Sequence, residues 1–280
     1  MNIKRLGGVL YFLIAALLFI WQIAYLLLGG KFSVEYVYNQ LFFIINIVIV
    51  LFLGLALWLI FSFSKKQIIT GISIILLFVL LNMILLFYDS SKVNTIRSLS
   101  PDSKHILLLK ENTQTDETHY YRIYYQLFAR KMNALPYQTK GEFKVKWLAD
   151  DVAAVTYKAK DDTIHQYIGT YGYREDPNYK HVGPTISGKW ESDQGEILVD
   201  TKGIHVFMDG NSEHYDWKEV VQFGTLAVVL VKNNQAEWTI SLDENFKDNL
   251  NNSLPPSGHI TLYKADFSSN EPIQLHFAPE

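Results

Sequence analysis

Residues 41–63 read LFFIINIVIVLFLGLALWLIFSF and contain no charged side chain. Two further apolar runs flank this one, at about residues 7–28 and 68–88. An α-helix rises about 1.5 Å per residue, so about 20 residues cross the roughly 30 Å hydrocarbon layer of a bilayer. Because lipid offers the backbone no hydrogen-bond partners, such runs are helical. The sequence therefore predicts a three-helix transmembrane region within residues 1–90.

The remaining two-thirds of the chain has a different composition. Of 280 residues with a formal net charge of −3 and no cysteine, the first 90 carry five basic and two acidic groups. The rest therefore carries 20 basic and 26 acidic groups, together with all eight histidines. This composition excludes a single soluble domain, a disulfide scaffold and a cysteine-ligated metal site. The acidic surplus argues against nucleic acid as a partner, because phosphate binding needs excess Lys and Arg.

Loop charges predict how the helices are oriented. Lys4 and Arg5 precede the first helix, and Lys65 and Lys66 lie between the second and third, whereas the loop 29–40 carries one charge of each sign. The positive-inside rule then places the N-terminus in the cytoplasm and the chain after the third helix outside. Three basic residues soon after the third helix favour the opposite orientation. They are discounted because long domains translocate largely regardless of charge.

Three amide side chains lie at one depth in the predicted helices. Gln22, Asn46 and Asn82 each lie five or six residues from the same end of the bundle, roughly 8–9 Å below the interface. We expect them to make interhelical polar contacts, with three independent side chains near the headgroups as the alternative. The predicted spans hold no Asp, Glu, Lys, Arg or His, which argues against transport.

The chain from residue 101 to 280 is typical of β structure. Residues 142–147 alternate charged and apolar side chains, and similar segments recur about every 10 residues with turn residues between them. This pattern predicts a mostly antiparallel β domain, a sandwich or open barrel, as one unit or as two packed units. Residues 91–100 are expected to be a polar linker. We also expect a strand at 121–130 and short helices at 217–223 and 245–250.

Two fragments resemble known families. Ser100-Pro101-Asp102-Ser103-Lys104, followed by apolar residues 106–109, resembles the opening of a β-propeller blade. The phrase occurs once and no period of about 40 residues follows, so a propeller is not predicted. Residues 215–220, YDWKEV, followed by two strands, are similar to the middle of bacterial pleckstrin-homology-like domains. Neither fragment carries a function over to this chain.

A long aperiodic segment is the first candidate site. Residues 171–188 read YGYREDPNYKHVGPTISG, and loops of this length are often functional. Amphipathic aromatic and basic side chains are enriched at binding surfaces. The alternative is a loop that folds over its own sheet. The candidate ligand-binding residues are Tyr171, Tyr173, Arg174, Tyr179 and His181.

A histidine pair is the second candidate site. Asp209-Gly210 predicts a two-residue hairpin turn, which would place His205 directly opposite His214. Opposed side chains have Cβ atoms roughly 5 Å apart, so two imidazoles could share a metal ion. Two ligands are too few for a complete site, and two half-exposed strand histidines are the alternative interpretation.

No catalytic motif is present. The segment GPTISGKW at 183–190 approaches a phosphate-binding loop, but Trp190 replaces the required hydroxyl, so a turn is predicted. The leading hypothesis is a multi-pass bacterial cell-membrane protein displaying an extracytoplasmic binding domain, without enzymatic activity or cofactor. Its partners would be the lipid bilayer and a cell-wall component or another membrane protein. The alternatives are a metal-dependent hydrolase using His205 and His214, and a cytoplasmic pleckstrin-homology-like module with inverted topology.

Overall fold

The N-terminal third forms the three predicted helices. The computed structural model describes residues 3–172, 174, 181–248 and 255–279. Each helix is long and apolar enough to cross a membrane, which confirms this part of the predicted fold class. The helices are α1 Ile3–Phe32, α2 Gln40–Ile60 and α3 Lys65–Ser90.

The start of α3 follows from local sequence. Ser64 Oγ accepts a hydrogen bond from the Gln67 backbone N–H at 3.4 Å, and Gln67 Oε1 accepts one from the Ser64 backbone N–H at 2.9 Å. This capping box satisfies two backbone donors that a helix start leaves free. It leaves four residues, Phe61–Ser64, between α2 and α3.

The segment between α1 and α2 is more than a loop. Val34–Tyr36 form a strand, β1, that pairs antiparallel with β5, Phe128–Ala134, with Val34 opposite Arg130. Within the segment expected to be a polar linker, 91–100, residues 93–99 form the strand β2. The partner of β1 lies more than 90 residues later in the chain, whereas β2 lies beside the nearby residues 106–112, which form β3.

The prediction of a single strand at 121–130 is wrong, because two strands and a hairpin turn occupy this region. The strand β4, Glu117–Tyr124, ends at a turn in which Tyr125 and Gln126 have φ values of 52° and 56°. Two consecutive positive φ values are typical of the tight hairpin turns that match strand twist. Tyr and Gln are unusual there, so the sequence carries no signal for this turn.

The other strands agree closely with the expected all-β pattern. A five-stranded sheet has the order β1-β5-β4-β3-β2, β6–β8 form a three-stranded sheet, and the order of the third sheet is β12-β11-β10-β9-β17-β16-β15-β14-β13. All strand pairings resolved in these sheets are antiparallel. The remaining elements are β3 Ile106–Asn112, β6 Thr139–Ala149, β7 Val152–Ala159, β8 Ile164–Thr170, α4 Val182–Thr185, β9 Gly188–Ser192, β10 Gly195–Val199, β11 Gly203–Met208, β12 Asn211–Asp216, β13 Val220–Phe223, β14 Ala227–Lys232, β15 Gln235–Leu242, β16 His259–Lys264 and β17 Ile273–Ala278.

The nine-stranded sheet curls into a nearly closed barrel whose interior is filled by side chains. Trp190, Ile197, Ile204, Tyr215 and Ile240 are all fully buried in one apolar cluster. A second cluster joins the outer face of β14 and β15 to the three-stranded sheet. Burial of large side chains on both faces stabilises this fold without disulfides.

Both predicted short helices need correction. Residues 217–219 form a single 3₁₀ turn, and Val220–Phe223 continue as β13, which pairs with β14. The β-branched pair Val220-Val221 suits a strand better than a helix. At 245–250, the described residues 245–248 form a turn and an isolated bridge between Lys247 and Ser257, and residues 249–250 lie outside the described residues.

The chain divides into two compact units, and the division falls within β2, β3 and β4. The first unit therefore includes strand residues as well as the helices. It comprises Met1–Thr95, Lys110–Thr115 and His119–Ala134, and the second comprises Ile96–Leu109, Asp116–Thr118 and Leu135–Glu280.

Candidate functional sites

A buried polar network joins α1, β1 and α2 within the first unit. Gln22, which is 3% exposed, donates from Nε2 to Asn46 Oδ1 at 2.9 Å and to the Phe42 carbonyl at 2.8 Å. Its Oε1 accepts from the Tyr36 hydroxyl at 3.0 Å, and that hydroxyl accepts from Trp21 Nε1 at 2.9 Å. The network satisfies the buried amide on both sides, which a buried polar group requires.

The structure brings together two of the three amides singled out in the sequence. Gln22 contacts Asn46 directly, whereas Asn82 donates to the Phe78 carbonyl one turn earlier in its own helix at 3.0 Å. Tyr36 was not predicted to belong to this network, because it lies in the segment interpreted as a connecting loop. A tyrosine just outside an apolar span was the available signal.

A buried lysine lies beside this network. Lys110 on β3 is 4% exposed and donates from Nζ to Glu35 Oε2 at 3.1 Å, the Tyr36 carbonyl at 2.9 Å and Asn39 Oδ1 at 2.6 Å. The ammonium also lies 5.1 Å from the ring centroid of Tyr121. Loss of hydration lowers the pKa of Lys110, and the nearby Glu35 carboxylate partly opposes that shift.

Lys110 was not a sequence candidate. A lone lysine after four apolar residues, in the run ILLLKEN at 106–112, was the signal that could have identified it. Its three acceptors all come from residues 35–39, which connect α1 to α2. The arrangement ties that connection to β3 and provides an acceptor for each of the three ammonium hydrogens.

Aromatic rings surround the polar network. Tyr36 stacks on Tyr25 with ring centroids 4.2 Å apart and on Phe128 at 5.5 Å, and Phe128 stacks on Trp21 at 5.6 Å. Stacked aromatic pairs are worth about 0.5–1.5 kcal/mol beyond their buried area. These rings fix the end of α1 against β1 and β5.

In the long segment 171–188, the described candidates pack against the second unit's own sheets. Tyr171 stacks on His105 at 4.9 Å and on Trp147 at 5.7 Å, and its hydroxyl donates to the Ile106 carbonyl at 3.2 Å. His181 precedes α4, where its carbonyl accepts from Thr185 Oγ1. Tyr173 and Tyr179 lie outside the described residues.

All three guanidinium nitrogens of Arg174 donate hydrogen bonds within the protein. Its Nε and Nη2 donate to the two oxygens of Asp151, each at 2.8 Å, and further bonds reach the Leu242 and Asp243 carbonyls. Bidentate ion pairs of this kind order the segments they join. A ligand would have to compete with these bonds, so Arg174 acts here as a support for the segment, and ligand binding by it stays a prediction.

The histidine pair has the expected register. His205 lies opposite His214 across the β11–β12 hairpin, and the ring centroids are 4.3 Å apart. His214 Nε2 lies 3.1 Å from Asp216 Oδ1, and His205 Nε2 lies 3.7 Å from Asp200 Oδ2. In the described ranges, no group of three or more His, Cys, Asp or Glu side chains could hold a metal ion. A metal site at this pair stays a prediction.

Two carboxylates on the barrel have divergent environments. Glu213 Oε2 accepts from the Tyr215 hydroxyl at 2.6 Å and from Trp238 Nε1 at 2.8 Å. Burial raises the Glu213 pKa, but these bonds and the charges of Lys232 and Lys264 together outweigh it and lower the pKa. Burial and the Glu213 charge raise the pKa of Glu237. The Glu213–Trp238 bond joins β12 to β15, which are not neighbours in the order of the sheet.

Comparison with known proteins adds no further constraint. No family model, curated protein or solved structure matches this chain.

Proposed function

We propose that this protein is an integral membrane protein that presents its β domain on the extracytoplasmic side as a binding domain without catalytic activity. The observation that carries the proposal is the pairing of β1 with β5. Since β1 connects α1 to α2, this pairing requires the α1–α2 connection and the β4–β5 hairpin to lie on one side of the membrane. Three crossings bring the chain after α3 to that same side.

The basic residues support the direction. Lys4 and Arg5 precede α1, and Lys65 and Lys66 begin α3, at the ends of the helices opposite to β1. On the β1 side, Glu35 accepts from Lys110 and balances a basic group of the domain itself. The positive-inside rule therefore favours a cytoplasmic N-terminus and an extracytoplasmic β domain.

An exposed aromatic turn supports a binding role. At the tip of the β4–β5 hairpin Tyr125 is 95% exposed, and Tyr124 and Met132 on the adjoining strands are about 40% exposed. Aromatic residues and Met are enriched in protein interfaces relative to the rest of the protein surface. A wall component or another membrane protein is the class of partner that such a surface would meet outside the cell.

Cysteine labelling tests the proposed topology. The chain has no cysteine, so Asn211→Cys on the exposed β11–β12 turn creates a single reactive thiol. We expect a membrane-impermeant maleimide to label this variant on intact bacterial cells. Ser62→Cys, in the exposed turn between α2 and α3, is the matched control and should label only after permeabilisation. Labelling of Ser62→Cys alone on intact cells would establish the inverted topology.

A further inference from the structure

A groove runs along the last three turns of α1. It has a volume of about 320 Å³ and an almost wholly apolar lining. One wall is formed by Trp21, Tyr25, Leu28 and Phe32, which recur every three or four residues and so lie on one face of α1. The opposite wall comes from β1 and β5, through Val34 and Phe128. A strand pair therefore covers one side of this end of α1.

The groove matches one leaflet of a bilayer in length. Trp21 and Phe32 are 11 residues apart, which corresponds to about 16 Å along the helix. Half of the roughly 30 Å hydrocarbon layer is about 15 Å. The end of the groove at Trp21 lies within the predicted span, and the end at Phe32 lies beyond it. The groove therefore crosses the membrane interface.

The lining offers almost no polar surface to a ligand. The Trp21 indole N–H donates to the Tyr36 hydroxyl, and that hydroxyl donates to Gln22. Tyr25 presents its ring, which stacks on Tyr36. A ligand with hydrogen-bonding groups would leave them unsatisfied here, whereas a saturated or unsaturated hydrocarbon chain would lose nothing.

The groove is continuous with surface that lipid covers. Ile20 and Leu27, which lie on the neighbouring faces of α1, are 62% and 71% exposed. In a span of this kind such side chains face acyl chains. At the upper end Lys31 is exposed, and its ammonium lies 5.7 Å from the Phe32 ring centroid. A positive charge beside the mouth of an apolar groove complements a phosphate headgroup.

We propose that this groove binds one acyl chain of a membrane phospholipid, with its phosphate beside Lys31. The strand pair β1–β5 would then hold part of that chain against α1, out of the bulk bilayer. This inference does not depend on which side of the membrane the β domain occupies, because the groove follows β1 in either orientation.

Photocrosslinking tests the proposal in the full chain. The protein is reconstituted in phosphatidylethanolamine and phosphatidylglycerol vesicles that contain a phospholipid with a diazirine in one acyl chain, irradiated, and mapped by peptide mass spectrometry. We expect lipid adducts at Val34 and Phe128, which belong to strands and not to a span. Leu76 on α3, which is 62% exposed, gives the level of labelling by bulk lipid.

Two matched variants separate groove binding from general lipid contact. Ala24→Trp fills the groove and should reduce the adducts at Val34 and Phe128 by about tenfold, the change for one order of magnitude in affinity. Ile20→Trp adds the same bulk on the exposed neighbouring face and should leave them unchanged. Adducts at Leu76 should be equal in both variants, which shows that both insert normally.

Several results would overturn the proposal. One is labelling at Val34 and Phe128 that does not exceed the level at Leu76. Another is labelling that persists in Ala24→Trp. A third is the replacement of lipid adducts by cross-links to a second copy of the chain. If Ala24→Trp fails to fold, Leu28→Glu tests the same point, because Leu28 is 51% exposed and tolerates a change of size. Leu27→Glu places the same charge one residue away, outside the groove, and should retain the strand adducts.

Discussion

Burial of the Lys110 charge is costly, and contacts around the ammonium offset that cost. Its ammonium is almost completely removed from water, and this desolvation costs several kcal/mol. Three oxygen acceptors use its three donors, and the Tyr121 ring covers a further side. Glu35 keeps 41% of its side chain exposed, so the carboxylate remains partly hydrated while it neutralises the lysine. Removal of either partner would leave buried polar groups uncompensated.

Replacing the buried lysine should therefore destabilise the protein. Lys110→Met keeps the length of the side chain but leaves the Tyr36 carbonyl and Asn39 Oδ1 without this donor, at a cost of about 2 kcal/mol in unfolding free energy. Lys140→Met is the control, because Lys140 and Asp162 form an exposed pair at 2.6 Å, and the loss of an exposed pair changes stability little. Thermal unfolding in detergent measures both, and equal effects would contradict this account of Lys110.

The same comparison has a pH dependence. Because burial lowers the Lys110 pKa below its ordinary value of 10.5, the folded state loses this proton at a lower pH than the unfolded state does. Between those two pKa values the unfolded chain binds more protons, so the contribution of Lys110 to unfolding free energy rises with pH. We expect the wild type to gain stability relative to Lys110→Met as the pH approaches 10.5. A difference that is constant over this range would exclude the shift.

At the scale of elements, single hydrogen bonds link α1 to α2 and to the strand β1. The Gln22–Asn46 bond joins α1 to α2, and Tyr36 on β1 bonds to the same Gln22. The matching depth of Gln22 and Asn46 could be predicted from their spacing alone. Their contact also needs both side chains to face the same helix pair, and Asn82, at the same depth, bonds within α3 instead.

A double-mutant cycle measures this contact. For Gln22→Leu and Asn46→Leu we expect a coupling of about 0.6 kcal/mol, the average for interhelical hydrogen bonds in membranes. The cycle of Gln22→Leu with Asn82→Leu should give a coupling near zero, since the structure provides no bond between these two residues. Unfolding in mixed micelles supplies the four free energies of each cycle. Equal couplings in both cycles would show that polarity at this depth, and not the contact, is what matters.

At the scale of the molecule, the membrane region completes a sheet of the β domain. Residues 110–115 and 119–134 belong to the same compact unit as the helices, and β1 supplies the strand that covers the edge of β5. A chain that begins at residue 91 would lack β1 and expose that edge. Edge strands with open hydrogen-bonding groups are also the places where proteins open locally and aggregate.

Limited proteolysis tests this dependence. In a chain of residues 91–280 we expect trypsin to cut after Arg130 and Lys131 on β5 about tenfold faster than in the full chain. Cleavage after Lys158, on the central strand of the β6–β7–β8 sheet, should change little because both of its neighbours remain. Equal cleavage rates at β5 in the two chains would show that β1 adds no protection.

The features that could be predicted from the sequence depend on neighbouring residues. Three uncharged apolar runs are sufficient for membrane helices, because their solvent permits no other backbone state. The register that places His205 opposite His214 follows from a two-residue turn, Asp209-Gly210. The alternation of polar and apolar residues indicated an all-β domain for the same local reason.

Long-range pairing decided the rest. Val34–Tyr36 are a strand only because β5 lies beside them, more than 90 residues later in the chain. Lys110 and Glu35 are 75 residues apart, and nothing near either residue indicates the other. The groove along α1 likewise exists because β1 and β5 cover one side of it. Such contacts form when distant segments share one buried surface, and local periodicity carries no record of which segments those are.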